Sequence, residues 1–379
     1  MRLLFDTTRL QQSQLHTGIQ RVVRCLLDAT ARQLPGATLP VTFAGTRWQA
    51  QERLAPHPLQ RLGHAPPLPG REILPGTGDT LLLFDASWYL DPWPAVDMAL
   101  GRGARLCAMV HDLLPLERPE WFRPGLQALF ARHLAGLAER AECLFVPTTV
   151  VAGHLQTQLS RRGAACRIEV LAHGGDFCPD SLAAPALGAP LDHLCATASA
   201  AMPLYLALGT LEPRKNHACL LDAFERLWQR GSPARLVLVG NRGWQVDELL
   251  QRLDSHPELG RRLYLLNNLS DPELRELLRH ASAMLYLSSD EGFGLPVLEA
   301  AMQGCPVIAT DIPVLREAGG DWPTYLPADP EALFTRLESA PPVPPARPVQ
   351  RKWSEVAGRL IERLSPDIRM TPAARGNRA

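Results

Sequence analysis

Two carboxylates lie eight positions apart in the segment from residue 282 to residue 311, where both could contact one ligand. Glu291 precedes two nearby glycines, Gly292 and Gly294, and Glu299 follows in a predicted helix. Glycine lets a backbone approach a ligand closely, and the unpaired N–H groups at the start of a helix attract phosphate. An acid at each end of such a turn suits a ligand with phosphates in its middle, such as a nucleotide sugar.

A predicted strand, loop and helix position these two acids. The apolar run from Ala283 to Leu287 is typical of a buried parallel strand, and the stretch from Leu295 to Gln303 is predicted to be a helix that Gly304 ends. An E-x7-E spacing alone has a simpler interpretation, in which Glu291 caps the helix and Glu299 is a solvated helix acid. The glycines, the preceding strand and the strand-like PVIATD that follows favour the ligand site.

The segment EGFGLPVLE resembles the signature of the retaining GT-B glycosyltransferases, and its flanking sequence is similar to family 4 of that group. The resemblance implies that Glu291 contacts the donor sugar and that Glu299 binds the ribose hydroxyls. It also implies that the backbone after the first acid contacts the diphosphate, a stretch made of Gly292, Phe293, Gly294 and Leu295.

A cationic pair in the same half of the chain could bind the phosphates. Arg214 and Lys215 lie between the predicted strand Pro203–Leu208 and the predicted helix His217–Gln229, and two cations there could stabilise the charge on a leaving nucleotide. The family gives such a pair this role, although Thr210 stands where it usually has an arginine, so TLEPRKNH resembles a variant of the motif. The alternative is two solvated charges at a helix start, where the helix dipole disfavours cations.

The first half supplies candidates for the opposite wall of a cleft. A short strand, Arg2 to Phe5, is followed by a predicted helix that opens with TGIQRV. This motif resembles the N-terminal loop of bacterial family 4 mannosyltransferase-like proteins, which implies that Gly18 lies near the donor. Arg21 is then a candidate contact for the donor phosphates or the acceptor, and a surface position on the helix is its alternative.

Polar residues also follow two other predicted strands of the first half. His111 and Asp112 come directly after Cys107–Val110, and the carboxyl ends of parallel strands face the ligand crevice in such folds. The resemblance implies that His111 approaches the donor sugar, whereas a histidine paired with Asp112 in a loop is the alternative. Gly174 and Asp176 belong to HGGD, which resembles the family's glycine-bearing loop at the inter-domain cleft, although a simple turn would explain it equally.

Length and composition indicate two α/β domains. The chain has 379 residues, of which 46% are hydrophobic and 21% charged, as in ordinary globular proteins. Alternating strands and amphipathic helices predict parallel sheets, and the resemblance implies a GT-B fold with two Rossmann-like domains facing across a cleft. We predict an N-terminal acceptor domain at 1–179, a linker at 180–202, a donor domain at 203–340, a crossover segment with a helix packing on the N-terminal domain at 341–370, and a disordered tail at 371–379.

Several features exclude other classes. Lys+Arg and Asp+Glu balance at 39 each, whereas nucleic-acid-binding proteins usually show a basic excess. Eight scattered cysteines without a C-x-x-C pair favour reduced thiols in a cytoplasmic protein. The apolar start of the chain is interrupted by Asp6 and Arg9, so no signal peptide is predicted, and no apolar run is long enough to span a bilayer. The sequence contains no D-x-D triplet, so we expect neither a metal nor another cofactor.

These residues predict a retaining, metal-independent glycosyltransferase that acts in the cytoplasm, with peripheral docking at the inner face of the plasma membrane left open. The resemblance of TGIQRV and TLEPRKNH to mannosyltransferases favours GDP-mannose as the donor, ahead of GDP-rhamnose and UDP-hexoses. No residue is identified that reads the base directly. The expected acceptor is a lipid-linked oligosaccharide or polysaccharide of bacterial O-antigen or exopolysaccharide synthesis. The alternatives are a nucleotide-sugar epimerase on the same fold and a non-catalytic docking protein that retains the donor pocket.

Overall fold

The computed structural model describes residues 1–12, 17–51, 70–177, 188–339, 343 and 350–365. In that part of the first half, helices flank an eight-stranded sheet. Its elements in chain order are β1 (Arg2–Asp6), α1 (Thr8–Gln12), α2 (Gly18–Gln33), β2 (Thr38–Ala44), β3 (Arg47–Ala50), β4 (Arg71–Ile73), β5 (Asp79–Leu83), α3 (Trp93–Leu100), β6 (Arg105–Met109), α4 (Leu114–Glu117), α5 (Leu126–Arg140), β7 (Cys143–Val146), α6 (Thr149–Arg161) and β8 (Arg167–Val170).

The described part of the second half forms a six-stranded sheet with its own helices and ends in a separate terminal helix. Its elements are α7 (Ala189–Ala196), β9 (Leu204–Leu208), α8 (His217–Gln229), β10 (Arg235–Val239), α9 (Asp247–Asp254), β11 (Leu263–Leu266), α10 (Asp271–His280), β12 (Ala283–Tyr286), α11 (Leu295–Met302), β13 (Val307–Thr310), α12 (Pro313–Gly319), β14 (Thr324–Leu326), α13 (Pro330–Ser339) and α14 (Trp353–Leu364).

Each sheet contains one point at which the strand order reverses. The first sheet has the order β4-β3-β2-β1-β5-β6-β7-β8, and the second has the order β11-β10-β9-β12-β13-β14. The paired strands of the second sheet are all parallel, whereas β3 of the first sheet is antiparallel to its neighbours β2 and β4. Ligands bind beyond the carboxyl ends of parallel strands at such reversals, here between β1 and β5 and between β9 and β12.

The central strands of the second sheet are apolar along their whole length. Every residue of β9, β12 and β13 is buried, because helices cover both faces of a parallel sheet. These buried strands fix the positions of the loops that follow them, and those loops carry the candidate site residues. The predicted Rossmann-like organisation of both halves is confirmed.

The terminal helix returns to the first domain, as predicted. On α14, Trp353, Val356 and Leu360 are buried in one apolar cluster with Val22 and Leu26 of α2. Burial of such side chains stabilises the docked helix by roughly 1.5–3 kcal/mol for each large one. The crossover that leads to this helix lies mostly outside the described residues, as does the whole predicted tail.

The predicted linker at 180–202 contains an element that its composition concealed. Residues 188–202 are described, and they include α7, whose Leu191 and Leu194 are buried in the core of the second domain. The second domain therefore begins before the predicted residue 203. The short apolar face of α7 was not recognised in the sequence, because small residues and prolines surround it. Among the helices of the described ranges, none has the length and apolar character needed to cross a membrane.

Candidate active site

Glu291 lies between both predicted cations. Oε2 of its carboxylate is 2.6 Å from NH1 of Arg214, and Oε1 is 2.5 Å from Nζ of Lys215. The acid follows β12, and the cations lie in a short 3-10 turn, Pro213–Lys215, after β9. Because β9 and β12 are adjacent strands, two motifs 76 residues apart meet at the reversal of the sheet.

The cations keep this buried acid charged. Burial acts to raise the pKa of Glu291, but Arg214 and Lys215 together lower that pKa to about 2. Burial and the neighbouring Arg214 lower the pKa of Lys215 below its ordinary value, while Glu291 acts in the opposite direction. Glu291 is therefore ionised at neutral pH and suits the orientation of hydroxyl groups better than the donation of a proton.

Two further residues complete the cluster, and neither was predicted from the sequence. Tyr286 donates its hydroxyl hydrogen to Glu291 Oε1 at 2.9 Å and accepts a hydrogen bond from Lys215 Nζ at 2.7 Å. Glu212 Oε1 lies 2.7 Å from Nε of Arg214. Both were adjacent to recognised motifs, since Tyr286 ends β12 and Glu212 belongs to TLEPRKNH. For Glu212 a sequence signal was available, because an acid two positions before Arg214 is a natural partner for a buried cation.

The loop between β12 and α11 is fixed by its glycines and its apolar side chains. Gly294 has φ +87°, a left-handed conformation, and Gly292 packs so tightly that a Cβ there would lie 2.1 Å from the carbonyl oxygen of His111. Phe293 and Leu295 are buried in the apolar cluster that α2 and α14 share. Gly292 therefore permits the close approach of the first domain. The diphosphate contact of this backbone stays a prediction.

Glu299 pairs with an arginine from the other domain. NH1 of Arg21, on α2, lies 2.8 Å from Oε1 of Glu299, and NH2 of the same guanidinium pairs with Asp271 at the start of α10. Burial raises the pKa of Glu299 to about 7, against the opposing effect of Arg21. Arg21 therefore reaches the second domain and is mostly removed from solvent. Its contact with the donor phosphates or the acceptor stays a prediction.

His111 and Asp112 lie on the first-domain side of this cluster. His111 Nε2 is 2.8 Å from the carbonyl oxygen of Phe84, which can only accept, so Nε2 carries the hydrogen. Burial lowers the pKa of His111 to about 4, so the ring is neutral at pH 7 and Nδ1 can accept a hydrogen bond. Asp112 accepts from the backbone N–H of Leu114 at 3.1 Å, and burial raises the pKa of Asp112 to about 6 although Arg214 lowers it.

Two of the remaining candidates lie at element boundaries. Gly18 is the exposed first residue of α2, with open space where a Cβ would be, and Thr210 is half-buried after β9. A Cβ at Gly243 would lie 2.9 Å from the Thr210 methyl carbon, so the loops after β9 and β10 are in contact. Their donor contacts stay predictions.

Gly174 and Asp176 lie where α14 returns to the first domain. Asp176 Oδ1 accepts a hydrogen bond from the backbone N–H of Trp353 at 2.6 Å, and a Cβ at Gly174 would lie 2.6 Å from that same nitrogen. The loop also packs against the second domain, since a Cβ at Gly175 would lie 2.5 Å from Cγ of Leu298 on α11. The pair therefore anchors the start of α14 beside the second domain, and its contact with a ligand in the cleft stays a prediction.

Replacing Asp176 by Ala is expected to lower the free energy of unfolding by about 1 kcal/mol, because the first turn of α14 loses a side-chain acceptor. Nucleotide affinity should stay within about twofold of the parent protein, because the Asp176 carboxylate already accepts from the backbone N–H of Trp353. Denaturant unfolding and calorimetric titration check the two parts. A large loss of nucleotide affinity with unchanged stability would instead support the cleft interpretation.

Further contacts join the two domains around the cluster. Thr148 donates to the carbonyl oxygen of Gly292 at 3.2 Å, and Thr149 donates from its backbone N–H and its hydroxyl to Glu317 at 2.8 and 2.7 Å. On another side, Trp244 Nε1 donates to the carbonyl oxygen of Trp121 at 2.6 Å. A small cavity beside Glu291 is lined from both domains, by residues that include Asp112, Glu117, His154, Asp290 and Val314.

The chain is similar in sequence to glycosyl transferases and to bacterial mannosyltransferases. Residues 199–339 match a family model described as glycosyl transferases group 1. The chain is 35% identical over 335 residues to the serotype-specific mannosyltransferase WbdA of Escherichia coli, an alignment that covers 86% of this chain and 39% of that protein. It is 40% identical over 126 residues to O-antigen chain mannosyltransferase B of Escherichia coli, covering 33% of this chain and 32% of the relative. The chain thus spans well under half the length of these relatives.

Two solved structures share the fold over nearly the whole chain. Anabaena HepE, solved in complex with UDP and glucose, has a TM-score of 0.65 and 16% identity, with coverage of 96% of this chain and 99% of that one. Sucrose-phosphate synthase from Thermosynechococcus elongatus has a TM-score of 0.60 and 16% identity, with coverage of 96% and 98%. At 16% identity, the similarity to these two structures shows a shared fold.

Proposed function

We propose that the protein is a group 1 glycosyl transferase that transfers mannose from GDP-mannose with retention of configuration. The match of residues 199–339 to the family model and the GT-B fold of the chain support this proposal. The proposed acceptor is a lipid-linked oligosaccharide or polysaccharide of O-antigen or exopolysaccharide synthesis. Similarity over 86% of this chain to a mannosyltransferase supports the choice of sugar. The observation that carries the proposal is the buried cluster of Glu291 with Arg214 and Lys215 at the strand-order reversal.

The cluster can exchange one anion for another. In the ligand-free protein Arg214 and Lys215 both pair with Glu291, and an entering diphosphate offers them more negative charge and more acceptor oxygens than one carboxylate. As the cations turn towards the phosphates, Glu291 becomes available for the sugar hydroxyls. The same acid therefore balances the cations before binding and orients the sugar afterwards.

The proposed reaction needs charge stabilisation more than a protein nucleophile. The bond from the sugar C1 to the phosphate oxygen breaks, and the acceptor oxygen forms a new bond to C1 on the same face. The proton of the acceptor hydroxyl passes to the departing phosphate oxygen. Arg214 and Lys215 stabilise the negative charge that grows on the diphosphate, and no metal ion is required in this proposal. The neutral His111, through Nδ1, can accept a hydrogen bond from a sugar hydroxyl.

The experiment that tests the proposal is calorimetric titration of the full chain with GDP, UDP and ADP, first without metal and then with magnesium. We expect GDP to bind most tightly and without metal, because the two buried cations supply the positive charge. The same preparation is then incubated with GDP-mannose and a mannose-terminated lipid-linked acceptor. Release of GDP only when acceptor is present is the expected result.

Other outcomes identify the alternatives. Isomerisation of the donor without acceptor would indicate an epimerase, and binding of GDP without turnover on any mannose-terminated acceptor would indicate a docking protein. Preference for UDP would overturn the choice of donor and leave the transferase proposal in place. Failure of all three nucleotides to bind would overturn the donor site.

A further inference from the structure

Arg21 connects the two domains through a buried charge cluster that is separate from the cationic pair. Its guanidinium belongs to α2 of the first domain, and its two partners, Glu299 on α11 and Asp271 on α10, belong to the second. The side chain of Arg21 is 22% exposed and that of Glu299 is 6% exposed. The ring centre of Phe177 lies 5.2 Å from the guanidinium carbon of Arg21. The two acids lie on different helices of the second domain, and the one guanidinium pairs with both.

The shape of the arginine side chain matters for this contact. A guanidinium presents its N–H donors in a rigid fork, so that NH1 on Glu299 and NH2 on Asp271 fix the acids relative to each other. An ionised carboxylate has about four acceptor positions. Glu299 can therefore bind Arg21 and still accept hydrogen bonds from two vicinal hydroxyls of a ligand.

The charges around Glu299 give Arg21 a second effect on this acid, because they change its pKa. Burial raises the pKa of Glu299 to about 7, Arg21 lowers that pKa, and Asp271 raises it. The charged groups that face Glu299 are thus Arg21 from α2 and Asp271 from α10, while the thiol of Cys25 on α2 faces Arg21. Without Arg21, Glu299 would face Asp271 with no cation between them, and its pKa would rise further, so that Glu299 would be mostly protonated at neutral pH.

We propose that Arg21 is a positioning residue, which orients Glu299 and favours its ionised form so that its carboxylate binds the ribose hydroxyls of the donor nucleotide. The inference rests on the proposed function, in which Glu299 is the ribose-binding acid. Because Arg21 is supplied by the first domain, the ribose site is complete only when the two domains are in contact. Nucleotide binding and inter-domain closure are therefore coupled through one side chain.

The test compares Arg21→Met with Arg32→Met, a control on the same helix whose exposed arginine pairs with Asp28. Binding of GDP and of 2′,3′-dideoxy-GDP is measured by calorimetry for each variant. Arg21→Met is expected to weaken GDP about tenfold or more, as loss of a hydrogen bond to a charged group typically does. It should weaken the dideoxy nucleotide by less than about threefold, since that ligand has no hydroxyls for Glu299 to bind.

A second measurement works without any nucleotide. Because the pKa of Glu299 is raised in the folded state, this acid opposes folding increasingly as pH rises from its unfolded value towards its folded value. Arg21→Met should raise the folded pKa further, so the stability difference between Arg21→Met and the parent protein should grow as pH rises above about 7, where Glu299 ionises in the parent and stays protonated in the variant. In a Glu299→Gln background this growth should be absent, whereas Arg21→Lys should recover part of the wild-type profile.

Each outcome separates the two proposals. Equal weakening of GDP and of its dideoxy analogue, or a loss of stability that is the same at every pH, would show that Arg21 is only structural and would overturn the inference. If the wild-type chain binds no nucleotide, the proposed function fails, and the ribose-binding part of the inference fails with it. The pH profile would then decide alone whether Arg21 favours the ionised form of Glu299.

Discussion

Replacement of Glu291 by Gln is expected to lower kcat by about two to three orders of magnitude while GDP affinity stays unchanged or increases. The amide keeps the size of the side chain but removes the charge that balances Arg214 and Lys215. These cations are then free for the phosphates, so ground-state binding does not suffer. The orientation of the sugar does suffer, because an amide cannot accept hydrogen bonds through both of its terminal atoms.

The same substitution should also destabilise the ligand-free protein. Removing one partner of a buried ion pair leaves uncompensated charge and costs roughly 3–5 kcal/mol. Added GDP should recover part of this stability, because its phosphates replace the missing carboxylate. Thermal unfolding with and without GDP, beside steady-state kinetics, measures both effects. Glu338→Gln, which removes a surface ion pair with Arg230 in the same domain, is the control.

A fully active Glu291→Gln enzyme would show that the acid does not act on the sugar. A variant that has lost GDP affinity and kept its stability would contradict the anion exchange at Arg214 and Lys215. The two results concern different parts of the mechanism, and binding measured beside turnover distinguishes them. Since the pKa of Glu291 is about 2 in the ligand-free protein, kcat/KM, which reports the free enzyme, should show no ionisation of this acid between pH 5 and pH 9.

The local parts of the site were predictable because each lies within a short, strongly patterned segment. The helix predicted at His217–Gln229 has those bounds, since its apolar positions recur on one face and a glycine follows closely after its end. Glu291 and Glu299 were found because a glycine-bearing turn between a buried strand and a helix is a local pattern. The return of α14 to the first domain followed from the family resemblance and from its apolar face.

The pairings between those parts were not predictable from the sequence. Nothing in the spacing indicates that Glu291 pairs with cations 76 residues away, because that contact depends on β9 and β12 being neighbours. The contact of Arg21 with Glu299 spans 278 residues and two domains. The contact of Gly174 and Asp176 with Trp353 was not predicted for the same reason, since Trp353 is remote in the sequence. Predicting a long-range charge pair requires knowledge of the strand order and the domain packing, whereas a motif can be recognised in the local sequence.

Replacement of Lys215 by Met is expected to weaken GDP binding by roughly 10- to 100-fold, the effect of losing one charge-assisted contact to phosphate. Guanosine has no phosphate, so its affinity should change by less than about twofold. Lys352→Met is the matched control, because Lys352 is the other lysine of the chain and is exposed next to α14, outside the cleft. Calorimetry with GDP, GMP and guanosine would show how much of the loss each phosphate carries.

The pH dependence gives this prediction a second, independent form. The pKa of Lys215 is lowered by burial and by Arg214, so the lysine loses its proton at a lower pH than an ordinary lysine does. GDP affinity of the wild-type protein should therefore decline on the alkaline side before pH 10.5, because a neutral amine cannot pair with phosphate. In Lys215→Met this alkaline decline should be absent, whereas Lys352→Met should retain it. Equal weakening of GDP and guanosine, or an unchanged alkaline decline in Lys215→Met, would show that Lys215 balances Glu291 without contacting the phosphates.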